Sequence, residues 1–404
     1  MQDSLNRAEM CRQRFYVIGL PDEQPCSFAP DVLKVITAGK VFSGGKRHHE
    51  IVYNLLPDNH RWIDITVPLD NVFSAYEGIG EIVVFASGDP LFFGFANTIL
   101  KRLPQAYVKV YPFFNSLQML AHRMALPYHK MKPVSLTGRP WDEFYSALIN
   151  GEEQIGILTD RSKTPAVIAQ RMLEYGYDNY TMTVGELLGN SSRERVRTFS
   201  LKDAALAEFA FPNCIILEQK YKRCRPFGIP ESAFHLLDGR TKMITKAPIR
   251  LLTLSMLDLH NRAVLWDIGF CTGSISIEAK LQFPHLKVVA FEQRLECEEI
   301  IAANSRKFGT PGITVNMGDF MNADLPAFPA PDAVFIGGHG GKLKEILHKV
   351  NKVLLPGGAI VFNSVSENSR ELFTDAIKEI GRNIVHKQHI AVDSFNPIEI
   401  MKAE

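Results

Sequence analysis

A short apolar run followed by a glycine-rich turn constrains the fold of this chain more than any other segment. Residues 264–273 read VLWDIGFCTG, and a helical pattern begins at Ser274. A buried strand that passes through a tight turn into a helix presents backbone amides at its carboxyl end, where α/β proteins bind nucleotide-like ligands. The next apolar run, 288–291, ends at Glu292, where a carboxylate can accept hydrogen bonds from both ribose hydroxyls. We therefore predict an α/β domain that binds a nucleoside.

The acidic residues that follow successive strands narrow the class of ligand. One strand–helix–strand unit separates Asp267 from Glu292, and Asp319 follows a third apolar segment. This series is typical of S-adenosylmethionine (SAM)-dependent methyltransferases, in which carboxylates contact ribose and adenine. A nicotinamide dehydrogenase is an alternative, but it prefers G-x-G-x-x-G, and this turn has Cys271 at the second glycine. A structural turn, with Asp319 as a helix cap, is the other alternative. The predicted cofactor contacts are Asp267, Gly269, Thr272, Gly273, Glu292 and Asp319.

Length and composition limit the class of protein. The chain has 404 residues, which is too long for one ordinary core, so we expect at least two domains. Hydrophobic residues make up 46% and charged residues 22%, as in globular proteins. The net charge of +1 gives no bulk attraction to nucleic acid or to a membrane, and we predict neither as a partner.

Cysteine spacing and hydropathy bear on the cellular location. The six cysteines are scattered, without a C-x-x-C pair or histidines at zinc spacing, so we predict reduced thiols and no metal site. The first residues are polar, unlike a signal peptide, and no apolar run approaches the roughly 20 residues of a membrane span. A cytoplasmic protein is expected.

The second half of the chain, 241–404, alternates strand and helix patterns. This alternation predicts a doubly wound, mostly parallel sheet. Runs at 385–392 and 397–401, joined by a turn at Asp393 and Ser394, predict an antiparallel hairpin at the sheet edge. The other predicted strands are 263–268, 287–291, 313–317, 333–336 and 359–363.

The first half, 1–220, has a different organisation. A basic, proline-containing stretch lies between the halves, and we expect an exposed linker over 221–240. The halves share no motif, so we predict two unrelated α/β folds. Predicted strands of the first half are 15–20, 82–86, 108–111, 134–136 and 155–158, and predicted helices are 31–38, 94–103 and 165–175.

Several motifs of the first half carry a family resemblance. Residues 86–94, ASGDPLFFG, resemble the SAM loop of the tetrapyrrole methylases, which implies their two-lobed α/β fold. Residues 42–48, FSGGKRH, resemble a basic motif of the precorrin and cobalt-precorrin carbon-5 methylases. Further segments that resemble this branch are 114–118, 136–139, 158–161, 164–166 and 185–196.

The second half resembles the carbon-15 methylase/decarboxylases of the same pathway, through residues 244–250, 267–278 and 335–341. The order of the two halves is similar to that of the fused precorrin-6Y C5,15-methyltransferases (decarboxylating). This resemblance implies SAM-dependent methylation of carbons 5 and 15 of precorrin-6B or cobalt-precorrin-6B in cobalamin biosynthesis, with decarboxylation of the ring-C acetate. It also implies one SAM per module and a homo-oligomer.

Two other functions stay open at this point. The second module of the chain could be a binding or scaffolding domain, with only the carbon-5 activity present. Alternatively, a nucleic-acid or small-molecule methyltransferase could be fused to a different tetrapyrrole methylase. Three departures from the family pattern bear on this choice. The first strand lacks a following G-x-G-P-G turn, Cys271 replaces a frequent glycine, and the segment around Asp393 is short.

In the first module, the resemblance assigns Gly88, Asp89 and Pro90 to the cofactor loop, where glycine lets the backbone approach the ligand. An ordinary strand-to-helix turn is the alternative. Ser116 is expected either to bind the same cofactor or to cap a helix. The basic motif is expected to bind substrate carboxylates, or else to form a solvated loop. Its residues are Lys46, Arg47 and His48.

In the second module, Lys246 and Arg250 are expected to hold substrate acids or the SAM carboxylate, with a solvated helix face as the alternative. The glycine loop 337–341 follows the fourth strand, where open sheets gather catalytic loops, and we place Gly338 at the substrate. His339, where serine is frequent in relatives, is expected to donate a proton or to hold a propionate, unless it has no role.

Overall fold

Three β-sheets organise the residues described by this computed structural model, which are 13–21, 27–392 and 397–404. Contacts divide the described chain into two compact units. The first unit is drawn from residues 1–138, 153–168 and 181–218, and the second from 139–152, 169–180 and 219–404.

The first sheet is entirely parallel, with the order β3-β2-β4-β1-β5. Its strands are β1 (Arg14–Leu20), β2 (Val41–Gly44), β3 (Arg61–Asp64), β4 (Glu81–Ser87) and β5 (Tyr107–Tyr111). The helices of this region are α1 (Pro30–Ala38), α2 (Lys46–Val52), α3 (Leu69–Tyr76) and α4 (Phe95–Arg102). Alternate residues of β4 enter two separate apolar clusters, Val84 one and Val83 the other, so the sheet is covered on both faces.

The second sheet mixes parallel and antiparallel pairs in the order β6-β7-β10-β8-β9. Its strands are β6 (Lys132–Ser135), β7 (Gln154–Leu158), β8 (Tyr180–Glu186), β9 (Arg195–Ser200) and β10 (Asn213–Gln219). The helices are α5 (Ser116–Arg123), α6 (Asp142–Asn150), α7 (Pro165–Glu174) and α8 (Leu201–Ala204). Two sheets in the first half confirm the two-lobed α/β architecture that the sequence predicts.

The third sheet has seven strands in the order β13-β12-β11-β14-β15-β17-β16. They are β11 (Val264–Ile268), β12 (Lys287–Glu292), β13 (Ile313–Met317), β14 (Ala333–Ile336), β15 (Ala359–Ser364), β16 (Ile384–Ile390) and β17 (Ile398–Ala403). The helices are α9 (Ala247–Met256), α10 (Ser274–Gln282), α11 (Glu296–Phe308), α12 (Leu343–Asn351) and α13 (Glu367–Glu379).

Strand directions in the third sheet confirm the predicted doubly wound fold. The first five strands of this order are parallel, and β17 pairs antiparallel with β15 and β16. The predicted turn at Asp393 and Ser394 lies outside the described residues. The strand order reverses between β11 and β14, and a ligand of an open α/β sheet binds at the carboxyl ends of the strands at such a point.

The predicted linker, 221–240, is exposed over more than half of its residues but is anchored at three buried apolar side chains. Ile229, Phe234 and Leu237 are all at least nine-tenths buried. Backbone amides of Gly228 and Ile229 donate to the Glu278 carboxylate at 2.7 and 3.2 Å. These apolar anchors and hydrogen bonds attach the segment to the second unit, while its basic and proline-rich parts stay mostly exposed.

A buried ion pair anchors this segment. The side chains of Arg250 and Glu278 are both fully buried and lie 3.1 Å apart. The remaining guanidinium donors of Arg250 reach the carbonyl oxygens of Thr245, at 2.8 Å, and Ile229. Because both charges are fully desolvated, neither can lose its partner without a large cost.

Replacing Arg250 with methionine is expected to lower the free energy of unfolding of the second unit by about 3–5 kcal/mol, since Glu278 stays buried without its partner. The double variant R250M/E278L is expected to lose less, because no lone charge remains. As a control, Lys344→Met removes an exposed pair with Glu379 and should cost at most about 1 kcal/mol. Urea unfolding measures all three variants, and equal losses for the two single variants would contradict a special cost of breaking the buried pair.

Candidate functional site

The turn after β11 brings two loops of the second unit into backbone contact. Gly269 has a φ of +77°, and a Cβ added there would lie 2.5 Å from both the nitrogen and the oxygen of Gly338. Gly273 has a φ of +74°, and its Cβ would lie 2.5 Å from Ile301. Both predicted turn glycines thus stand where a side chain does not fit. The contact also places Gly338 beside the turn, and its contact with substrate stays a prediction.

Cys271 occupies a backbone conformation that glycine ordinarily takes. Its φ is +49°, which costs a residue with a Cβ roughly 1–2 kcal/mol. The buried thiol donates to the carbonyl oxygen of Met243 at 3.2 Å, and the amide donates to Glu292 Oε2 at 3.1 Å. These contacts hold the turn in a glycine-like shape despite the substitution.

Two buried polar atoms beside this turn have no hydrogen-bond partner among the described residues. They are Asp267 Oδ1 and Thr272 Oγ1. The other oxygen of Asp267 accepts from the Ser276 amide at 3.2 Å and hydroxyl at 2.6 Å. Burial raises the pKa of Asp267 to about 7, although the Ser276 hydrogen bonds lower it. Buried polar atoms are normally paired, so these two mark where polar groups of a ligand would bind.

Glu292 and Asp319 both line one cleft. Glu292 ends β12, and its buried carboxylate accepts hydrogen bonds from Arg294 Nη1 at 3.2 Å to each oxygen. Asp319 Oδ1 accepts from the Met321 amide at 3.0 Å, so Asp319 does cap a short 3₁₀ segment. Its Oδ2 accepts from Lys342 Nζ at 2.6 Å, and this hydrogen bond lowers the pKa of Asp319.

The cleft lies at the carboxyl ends of β11 to β14 and is partly open to solvent. Its lining includes Ile268, Gly269, Phe291, Glu292, Gln293, Arg294, Gly318, Asp319, Phe320, Gly338, His339, Gly340, Lys342 and Ile346. His339 is half-buried, and burial lowers its pKa, so the imidazole is neutral at pH 7. Its Nδ1 accepts from the Gly341 amide at 3.2 Å, which assigns the ring proton to Nε2. His339 is therefore a neutral hydrogen-bond donor in the cleft.

The two basic residues predicted near α9 lie apart from the described lining of this cleft. Arg250 directs its guanidinium into the buried contacts with Glu278 and two backbone carbonyls. That engagement leaves its predicted role in holding a carboxylate of substrate or cofactor without structural support. Lys246 directly precedes α9 as its N-cap residue.

The first unit also has a glycine-lined turn, which lies at the carboxyl end of its parallel sheet. Gly88 follows β4 with a φ of +61°, and a Cβ there would lie 3.1 Å from Asn115 Cα. A Cβ on Gly19, in β1, would lie 2.0 Å from the Gly88 oxygen. Asp89 Oδ1 accepts from the Leu91 amide at 2.9 Å and so shapes the turn that contains Pro90. Sequence reasoning missed Gly19, whose signal was a glycine near the end of the first strand.

Ser116 begins α5, but the cap of this helix is its neighbour. Asn115 accepts from the Gln118 amide at 2.9 Å, and Gln118 returns a hydrogen bond to the Asn115 amide at 3.0 Å. This reciprocal arrangement is a capping box. Asn115, and not Ser116, therefore caps α5. A contact between Ser116 and the cofactor stays a prediction.

The basic motif at the start of α2 divides into two kinds of residue. Lys46 and Arg47 are exposed. Burial and the neighbouring Arg47 charge lower the pKa of His48 to about 4, so His48 is neutral at pH 7. Its Nδ1 accepts from the Gly45 amide at 3.2 Å, and its Nε2 lies 2.9 Å from Ser87 Oγ. His48 thus contacts the end of β4, next to Gly88, and is not a cation for a substrate carboxylate.

Metal-binding clusters and membrane-spanning helices are both absent from the described residues. No group of three or more His, Cys, Asp or Glu side chains in the described ranges is arranged to hold a metal ion. In that same part of the chain, no helix has the length and apolar character needed to cross a membrane.

Comparisons with known proteins match both halves. Residues 14–205 match the tetrapyrrole (corrin/porphyrin) methylases, and residues 236–403 match the precorrin methyltransferase domain. A precorrin-6Y C(5,15)-methyltransferase [decarboxylating] from Sinorhizobium sp is 30% identical, covering 91% of this chain and 89% of the relative. A cobalt-precorrin-6B C(15)-methyltransferase (decarboxylating) from Salmonella typhimurium is 32% identical over 40% of this chain and 83% of the relative. A crystal structure of precorrin-6Y C5,15-methyltransferase from Geobacter metallireducens is 31% identical, with a TM-score of 0.42, over 45% of this chain and 99% of that one.

Gly269→Ala is expected to weaken adenosine binding to the second unit. It should also lower the free energy of unfolding of that unit by more than the roughly 1–2 kcal/mol that backbone strain costs an alanine in the left-handed region. The reason is the added clash with Gly338. Gly357→Ala is the matched control, because Gly357 has a φ of +72° with no atom within 4 Å of its Cβ. Calorimetry and urea unfolding compare the two variants, and identical results would show that the loop contact is unimportant.

Asp267 predicts a pH dependence of stability. Its pKa is raised to about 7 in the folded protein, against about 3.9 in an unfolded chain. The folded state therefore binds the extra proton, so this contribution to stability is complete below pH 4 and is lost as pH rises to 7. The slope is at most about 1.4 kcal/mol per pH unit. The free energy of unfolding, measured in urea at a series of pH values, should fall with this slope in the wild type but not in Asp267→Asn. Parallel profiles of the two proteins against pH would contradict the prediction.

Proposed function

Because this chain belongs to the family of fused precorrin-6Y C5,15-methyltransferases (decarboxylating), we propose that it methylates carbons 5 and 15 of precorrin-6B or cobalt-precorrin-6B. The same reaction sequence removes the carboxyl group of the ring-C acetate. The chain is a methyltransferase of cobalamin biosynthesis with two domains. One observation carries the assignment of two activities. Each unit has its own glycine-lined turn at the carboxyl edge of a parallel sheet, with Gly88 in one and Gly269 in the other.

The proposed modules are a tetrapyrrole methylase over 1–220 and a Rossmann-like methyltransferase over 241–404, joined by a linker over 221–240 that three buried apolar side chains attach to the second unit. The two family matches, at 14–205 and 236–403, support this order. The first module would methylate carbon 5, and the second would methylate carbon 15 and decarboxylate. A cytoplasmic location and a homo-oligomer are part of the same proposal.

Each module is proposed to bind one SAM. In the second module, Glu292 would accept from the ribose hydroxyls and Asp319 would lie at the adenine. The unpaired Asp267 Oδ1 and Thr272 Oγ1 support this site, because both are buried acceptors at the turn. In the first module, the turn at Gly88 to Pro90 and the start of α5 at Ser116 would hold the cofactor.

The chemistry asks mainly for alignment and the exclusion of water. SAM supplies a strongly electrophilic methyl group, and the meso carbons of a reduced tetrapyrrole are enamine-like nucleophiles. The protein must hold sulfur, methyl and carbon in line, and a strong base is not required. Two neutral histidines fit this demand, His48 behind the first cofactor loop and His339 in the second cleft.

Decarboxylation asks for more from the second module. Electrons of the leaving carboxylate must flow into the macrocycle, which a hydrogen-bond donor at the conjugated system would assist. The Nε2–H of His339 is such a donor, since Nδ1 accepts from the Gly341 amide. Substrate acids would be met by Lys46 and Arg47 in the first module and by Lys246 near the second. Gly338 would contact the substrate through its backbone.

The test is mass spectrometry of the products formed from precorrin-6B, or from its cobalt form, with SAM. The wild type should add two methyl groups and lose one carbon dioxide. Gly88→Val should lose methylation at carbon 5, and Gly269→Val should lose methylation at carbon 15 together with decarboxylation. Mixing the two variants should restore the full product, because each keeps one intact module.

Other outcomes of this experiment have clear meanings. One methyl group without loss of carbon dioxide from the wild type would reduce the proposal to carbon-5 methylation, with the second module a binding domain. Unchanged substrate in both forms, despite bound SAM, would refute the assignment to this pathway.

A further inference from the structure

Glu292 already accepts as many hydrogen bonds as its carboxylate can hold. Oε1 accepts from the backbone amides of Gln293, at 2.9 Å, and Arg294, at 3.1 Å. Oε2 accepts from the amide of Cys271 at 3.1 Å. Arg294 Nη1 adds a contact of 3.2 Å to each oxygen, which makes five contacts. A carboxylate offers about four lone-pair sites, so no position remains for another donor.

A ribose would bring two further hydroxyl donors to this carboxylate, so at least one present donor must leave. The three backbone amides cannot leave easily. Two belong to the residues directly after Glu292, and the amide of Cys271 is held in the turn between Gly269 and Gly273. The Arg294 side chain is 31% exposed, and one of its nitrogens is shared between both oxygens. The guanidinium is therefore the donor that can move.

We propose that Arg294 is a resident counter-ion of Glu292 that competes with the ribose hydroxyls of the cofactor and so sets the affinity of the second module. This inference rests on the proposed cofactor site. Removal of this positive charge from the cleft is therefore expected to make a nucleoside bind more tightly. The loss of a hydrogen-bond donor from a binding site usually has the opposite effect and weakens binding.

Asp319 offers a contrast within the same cleft. Among the described residues, it accepts one hydrogen bond at each oxygen, from the Met321 amide and from Lys342. About two lone-pair sites remain for a base amine. Lys342 therefore does not have to leave when an adenine binds, and it is a matched control for Arg294.

The experiment uses the full chain with Gly88→Val, so that calorimetry reports on the second site. The probes are adenosine and 2′,3′-dideoxyadenosine, which lacks both hydroxyls. Adding Arg294→Gln should tighten adenosine roughly two- to fivefold, the range of a partly exposed ion pair, and leave dideoxyadenosine unchanged. In the protein that keeps Arg294, added salt should tighten adenosine binding, because ions screen the pair between Arg294 and Glu292. In the Arg294→Gln protein, salt should have little effect on adenosine binding.

Three results would overturn the inference alone: adenosine binding that is unchanged or weaker in Arg294→Gln, an equal gain for dideoxyadenosine, or the same gain from Lys342→Gln. The proposed site is tested separately by Glu292→Gln. If that substitution does not weaken adenosine binding, or if adenosine binds neither with Arg294 present nor in the Arg294→Gln protein, the cofactor site itself is refuted and the inference with it.

Discussion

The close approach of two backbone segments at Gly269 and Gly338 is the constraint on which the second site depends. The two residues stand at the ends of β11 and β14, where the strand order of the sheet reverses. A single Cβ at Gly269 would separate the loops and open the cleft between them. The first unit uses the same device in an unrelated sheet, where Gly19 lies against the Gly88 oxygen. In both units, absence of a side chain creates the site.

The carboxylates of the second cleft differ in how well they are satisfied. Asp267 keeps one buried oxygen without a partner among the described residues, which costs the fold on the order of 1–3 kcal/mol. Glu292 has donors at every lone pair, and one of these donors is a charged side chain that can move. A ligand that donates a hydrogen bond to Asp267 gains binding free energy there. The same ligand loses binding free energy at Glu292, where it has to displace the Arg294 guanidinium. Cofactor affinity is therefore a balance that single substitutions can shift in either direction.

Much of this fold could be predicted from the sequence, because apolar periodicity and turn glycines are local signals. The strands of the third sheet, the turn at Gly269 and the position of Glu292 follow from such signals. The three buried anchors of the segment 221–240 could not be predicted, since its apolar residues have no regular spacing. The role of Arg250 depends on Glu278, a partner 28 residues away that only the packed structure brings near.

Protonation states belong to the same class of non-local properties, and they change the chemistry expected of each site. A histidine after two basic residues suggested a cation, but burial leaves His48 neutral and in contact with Ser87. His339 is likewise neutral, with a backbone amide fixing its tautomer. A neutral donor suits methyl transfer from a cationic sulfonium, because a second positive charge beside the transferring group would oppose cofactor binding. In the proposed function, Lys46 and Arg47, which are exposed, would meet the acidic substrate, so charge recognition and alignment would fall to different residues.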